Sequence, residues 1–302
     1  ALELMLTRFL LAEKMKVSTG RLYTFSIAKY EKFKPLMQFS FSAGLSAIIW
    51  AILVNADKLI VSWLMTAEAF GRYTMIVTIS SAILLLFKPI NQAVMPSLVE
   101  QKTKPETFKL ILQTYSTILI CIAMSLVVVI GTSTYEIMIL WTGDRELAQW
   151  GEQPLKYLVY GNAFLLMTSS AYVAQSAMGD LSVHVRWTII STIFQVIFLL
   201  IGFQIAGISG LTIAWVSFRA IWLILWLGNV YIRIIPIYNI SQYIRIYIYP
   251  ILFFMITSVI VDKMLSFNNI TTSQILQLLL IKILIVSIVS ALFIRSRSYN
   301  IA

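Results

Sequence analysis

The chain has 302 residues, of which 59% are apolar and 12% charged, with a mean hydropathy of +0.86 and a formal net charge of +10. A soluble domain carries roughly 25% charged residues, so a water-covered globular enzyme is excluded. The basic excess lies in short connectors between apolar runs, which indicates orientation in a membrane and no nucleic-acid partner.

In chain order, residues 1–12 read as the tail of a helix already under way, and no signal-peptide pattern is visible, so a preceding part is expected upstream. Residues 13–36, with Lys14, Lys16, Arg21, Lys29, Lys32 and Lys34, form a basic connector. Apolar runs follow at about 37–64, 73–97, 108–131, 155–178, 185–205, 209–230, 247–265 and 274–294. Each is long enough to cross ~30 Å of hydrocarbon at 1.5 Å per residue. The fold class expected is therefore all-α integral membrane, with about eight transmembrane helices. With residues 13–36 placed in the cytoplasm, the connectors put 14 Lys and Arg on that side and 4 on the other, and the C-terminus is cytoplasmic. The longest outward connector, Gly131 to Pro154, reads as an interfacial turn with Trp141 and Trp150 as anchors. Cys121, the one cysteine, reads as a buried thiol, and a lone His184 excludes a histidine cluster. No metal, cofactor or catalytic motif is expected.

Polar side chains at membrane depth are costly and point to function. In the first run Gly44, Ala51, Asn55, Lys58 and Ser62 share one face at helical spacing, with Asp57 about 100° away. Asp57 and Lys58 read either as a local ion pair or as a cation for an anionic substrate beside a carboxylate for a coupling proton or sodium ion. In the second run Thr74, Thr78, Ser81, Lys88 and Asn91 form a stripe with Gln92 beside it, and Pro89 should kink the helix. In the fourth, Asn162, Ser169 and Ser176, with Tyr160, Tyr172 and Gln175, suit either helix packing or sugar hydroxyls. In the sixth, Arg219 shares a face with Trp215, Trp222 and Trp226, as either a cation–π pair or a pyrophosphate clamp. Lys282, in the last run, is expected to snorkel to the outer surface. Cations at membrane depth outnumber the one acid, which favours an anionic or lipid-phosphate cargo.

The segments Phe39–Ser40–Phe41, Asn55–Ala56–Asp57–Lys58–Leu59–Ile60–Val61–Ser62 and Ala69–Phe70–Gly71–Arg72–Tyr73 carry a family resemblance. So do Lys88–Pro89 with Pro96–Ser97, Ile139–Leu140–Trp141–Thr142–Gly143, Ala177–Met178–Gly179–Asp180 and Gly207–Ile208–Ser209–Gly210–Leu211. Together they resemble the second half of polysaccharide-biosynthesis flippases of the multidrug/oligosaccharidyl-lipid/polysaccharide exporter superfamily. The resemblance implies two six-helix lobes about a cationic cavity, with two extra C-terminal helices. Residues 1–36 would then be a helix end and cytoplasmic linker, 37–230 the C-terminal lobe, and 231–302 the extra helices and tail. It also implies alternating-access transport of an undecaprenyl-pyrophosphate-linked glycan, such as an O-antigen repeat unit, across the bacterial inner membrane. The partners implied are that lipid-linked oligosaccharide, membrane lipid, and a polysaccharide polymerase with its chain-length regulator. The site expected comprises Lys58, Lys88 and Arg219 on the pyrophosphate and Asp57 as ion-coupling group. Asn55, Asn91, Gln92, Asn162, Tyr172 and Gln175 would line the cavity, with Trp215 and Trp222 as aromatic support. The alternatives are a cation-coupled antiporter, which would call for more acids, and a glycan polymerase or ligase, which would call for a larger outward loop.

Overall fold

A computed structural model describes residues 27–234, 239–264 and 272–298. The expected helix end at residues 1–12 lies outside these. All regular elements among the described residues are helical: α1 (Ile27–Leu64), α2 (Ala67–Ser81), α3 (Phe87–Glu100), α4 (Pro105–Gly131), α5 (Thr134–Thr142), α6 (Arg145–Met178), α7 (Ser182–Asn229), α8 (Ile240–Tyr243), α9 (Tyr249–Met264) and α10 (Thr272–Ser298). Residues 45–302 form one unit, and the site described below lies within it. The chain is an all-α integral membrane protein. Six of its described helical stretches are long and apolar enough to cross a bilayer.

Two features account for the gap between six such stretches and eight expected crossings. The stretch Ser182–Ile232 is 51 residues long, about 77 Å at 1.5 Å per residue, far more than one crossing of ~30 Å. Its helical path breaks at Ala206 (φ −145°) and Gly207 (φ +58°, ψ −136°), a conformation open to glycine. The two halves of α7 then pack so closely that a Cβ on Gly210 would lie 2.0 Å from the Gly202 carbonyl oxygen. The second feature is α6, which has too many polar groups to register as an apolar span. It is instead buried among α2, α3, α4, α5 and α7. A helix surrounded by protein does not need a lipid-facing side, so its sequence can be polar.

Local chemistry sets the ends. Asp144 accepts from the N–H groups of Glu146 (2.9 Å) and Leu147 (3.1 Å) to cap α6. Gly143 (φ +68°) and Gly179 (φ +83°) end α5 and α6 in the left-handed conformation. The outward connector expected as a turn is thus largely helical, formed by α5 and the start of α6, with Trp141 exposed. The break in the second apolar run is a 3₁₀ stretch at Ala82–Leu86. It lies just before Pro89, whose missing N–H removes the bond to residue 85.

The last helices are tied to the others by polar bonds. Ser125 and Ser290 hydroxyls meet at 2.6 Å, Tyr160 and Ser258 at 2.7 Å, and the Tyr247 hydroxyl donates to Ser116 at 2.7 Å. Lys156 pairs with Asp262 at 3.3 Å. Lys282 does not snorkel. It is 1% exposed and donates to the Thr132 carbonyl and, at 2.8 Å, to the Ser133 hydroxyl. Those groups lie where α4 ends, so the lysine satisfies a helix C-terminus whose carbonyls lack intrahelical partners.

Candidate functional site

The second half of α1 faces α2 and α6 across a cavity of about 210 Å³. Its polar wall is built from Asn55, Asp57 and Lys58 of α1, Ser80 and Ser81 of α2, and Asn162 and Ser169 of α6. Two indoles, Trp50 of α1 and Trp215 of α7, also line it. Trp50, Val54, Asp57 and Lys58 recur at three-, four- and seven-residue steps, so one helical face supplies them all.

Asp57 and Lys58 do not pair with each other. The Lys58 ammonium donates to Asn55 Oδ1 at 2.6 Å, and Asn55 Nδ2 donates to the Ala51 carbonyl at 2.7 Å. Asp57 is 1% exposed, and its Oδ2 accepts from the Tyr73 hydroxyl at 2.7 Å. Its Oδ1 has no hydrogen-bond partner among the described residues. Across the cavity Asn162 Nδ2 donates to the Ser80 hydroxyl at 3.1 Å, which orients that amide.

Arg219 stands behind this wall. It is 2% exposed, lies 4.6 Å from the centre of the Trp215 ring, and donates through Nη2 to the Leu53 carbonyl at 3.3 Å. Gln195 donates to the same carbonyl at 2.9 Å. Two side chains of α7 thus clamp α1 one turn before Asp57. Gly161 completes the packing: a Cβ there would lie 2.3 Å from Cδ1 of the Trp215 indole.

Of the residues expected from sequence, Asn55, Asp57, Lys58, Asn162 and Trp215 come together around one cavity. The others lie elsewhere. Lys88 and Gln92 are exposed on α3, and Asn91 accepts from the Tyr115 hydroxyl at 3.3 Å. Gln175 is buried and donates to the Ala171 carbonyl at 3.2 Å. Tyr172 packs against His184 at 5.0 Å. Trp222 stacks with Phe218 (5.9 Å) and Trp226 (6.3 Å), while Arg219 takes Trp215.

Sequence reading missed Trp50, Ser80, Gln195 and the role of Tyr73. Trp50 was findable, because it lies seven residues before Asp57 on the same helical face. Ser80 and Gln195 matter through helices distant in sequence, and no local pattern reveals that.

Residues 5–102 match the family described as polysaccharide biosynthesis protein. Among solved structures the chain is similar to the lipid II flippase MurJ in its inward closed conformation, with a TM-score of 0.64 at 16% identity. The similarity covers 93% of this chain and 58% of that one, so this chain spans little more than half of that protein's length. No curated protein sequence matches. The family match covers the first of the motifs named above, through Pro96–Ser97, and the likeness in fold extends over nearly the whole chain.

Proposed function

We propose that this chain, with the polysaccharide-biosynthesis signature on a flippase-like fold, moves a lipid-linked oligosaccharide across the bacterial cytoplasmic membrane. The cargo in this reading is an undecaprenyl-pyrophosphate-linked repeat unit of a surface polysaccharide such as O-antigen. Transport runs by alternating access, with residues 37–230 as one lobe and the chain ending in the cytoplasm.

The observation that carries the reading is the cavity at membrane depth, in which a carboxylate, an ammonium, amides and hydroxyls face inward among apolar helices. Polar groups so placed are costly unless they serve passage or binding. The likeness to a protein that flips lipid II adds support for a lipid-linked cargo. In this mechanism the helices exclude lipid from the polar part of the cargo, and the prenyl tail stays in the bilayer. An antiporter for cationic drugs is the weaker reading, because the cavity wall carries one carboxylate, Asp57, together with a cation, Lys58.

The test is genetic. The full reading frame is expressed in a bacterium lacking its own O-antigen flippase but carrying the cognate glycan genes, and long-chain surface polysaccharide is assayed. Restoration by the wild type, lost in Lys58→Met at equal membrane abundance, supports the proposal. Absence of restoration by an abundant wild-type protein refutes it.

A further inference from the structure

Lys88 is exposed on α3 and Arg219 is held behind Trp215, so one of the three expected cations, Lys58, reaches the cavity wall, and it does so beside Asp57. The cavity therefore has no cationic excess. A pyrophosphate placed here would bring its negative charges against the Asp57 carboxylate in a poorly solvated site, where like charges repel strongly. A metal cation would find one carboxylate and a competing ammonium, well short of an oxygen cage.

Two buried groups of lining residues, Asp57 Oδ1 and Trp215 Nε1, have no hydrogen-bond partner among the described residues. The Nε1 edge of Trp215 packs against Gly161, so Asp57 is the group left for a ligand to meet, and a hydroxyl can donate to it without adding a charge beside Lys58. The two indoles, Trp50 and Trp215, offer flat apolar surface with little conformational freedom to lose. Trp215 is held further by Arg219 stacked on its ring and by Gly161 against its edge. Flat apolar rings beside hydroxyl-binding polar groups fit the alternating C–H faces and equatorial hydroxyls of a pyranose. At about 210 Å³, the cavity is smaller than the ~300–1,000 Å³ of sites that enclose a whole drug-sized ligand. It accommodates one ring, and neither a repeat unit nor a prenyl pyrophosphate.

We infer that the cavity is a saccharide subsite, which holds one sugar ring of the cargo between Trp50 and Trp215 while Asp57 and Lys58 bond its hydroxyls. This rests on the transport reading above for its biological role. It leaves the pyrophosphate outside the cavity.

The test uses the complete protein in lipid nanodiscs, with Cys121→Ser removing the native thiol and Ser81→Cys placing one on the wall. The rate of labelling by a small methanethiosulfonate is measured alone and with glucose, galactose, N-acetylglucosamine, rhamnose or glucuronate. Sodium pyrophosphate, sodium chloride and sorbitol serve as comparisons. An affinity of about 10 mM, normal for a lone weak site, slows labelling about sixfold at about 50 mM sugar. The expected result is such slowing by at least one pyranose and by none of the comparison solutes, with the effect lost in Trp50→Ala. Slowing by pyrophosphate or sodium, or by no pyranose, overturns the subsite. The same cysteine variant is run in the surface-polysaccharide assay. Transport without protection removes the subsite and leaves the flippase, whereas protection without transport keeps the subsite and removes the flippase.

Discussion

Replacing Gly161 with alanine tests how the cavity wall is held. The new Cβ would lie 2.3 Å from Cδ1 and 2.6 Å from Nε1 of Trp215, with the Val216 backbone 3.4 Å away. Carbon atoms settle at about 3.5–4.0 Å, so the indole must retreat by roughly 1.2 Å. An indole moves as a rigid plate, and Arg219 lies against its ring. Moving the ring therefore disturbs the guanidinium and its 3.3 Å bond to the Leu53 carbonyl. Overpacking of this kind costs about 1–3 kcal/mol, which corresponds to a melting-temperature drop of about 2–10 °C. Thermal unfolding of the purified protein in detergent reads the drop, and the surface-polysaccharide assay reads the wall's disturbance as reduced transport. Trp215→Phe in the same protein shortens the ring and should recover part of the loss, with a coupling of about 1 kcal/mol in the double-mutant cycle. Wild-type melting and transport in Gly161→Ala would refute the claim that this close approach fixes Trp215.

Gly210→Ala should be more severe, because its Cβ meets backbone, the Gly202 carbonyl oxygen at 2.0 Å. The α7 hairpin must open, and membrane abundance should fall several-fold on an immunoblot; equal abundance would show that the hairpin tolerates separation. Lys282→Met leaves the Thr132 carbonyl and Ser133 hydroxyl without that donor. It should destabilise the protein by about 1–3 kcal/mol, with faster hydrogen exchange in α10 as the readout. The Ser182 hydroxyl, and after it the Ser182 N–H that donates to Asp180 at 2.8 Å, hold the Asp180 carboxyl below the usual 3.8. A depressed carboxyl stabilises the fold above its unfolded value and loses that contribution as pH falls through the folded value. Hydrogen exchange at the start of α7 should therefore rise on acidification below about 3.8, and Asp180→Asn should abolish that rise.

Apolar run length was enough to establish a helical membrane protein, because hydrocarbon forces the backbone to bond within each span. Local spacing also established that Asn55 and Lys58 share a face, that the apolar runs 185–205 and 209–230 are two crossings, and that the motifs resemble polysaccharide flippases. These properties depend on neighbours in sequence and on the solvent, and both can be read from a string of residues. Only the tertiary structure decided which charges meet. An ion pair was one of two readings of the neighbours Asp57 and Lys58, yet successive residues on a helix point about 100° apart. Tyr73 from α2 takes the one, and Asn55 takes the other. Lys282 looked like a snorkelling residue until α4 was seen to end beside it. Arg219 allowed two readings, a cation–π pair or a pyrophosphate clamp, and only the fold shows the Trp215 ring and the Leu53 carbonyl within its reach. The partner of a buried charge is chosen by whichever helix packs against it, and that choice is made over sequence distances that no local pattern spans.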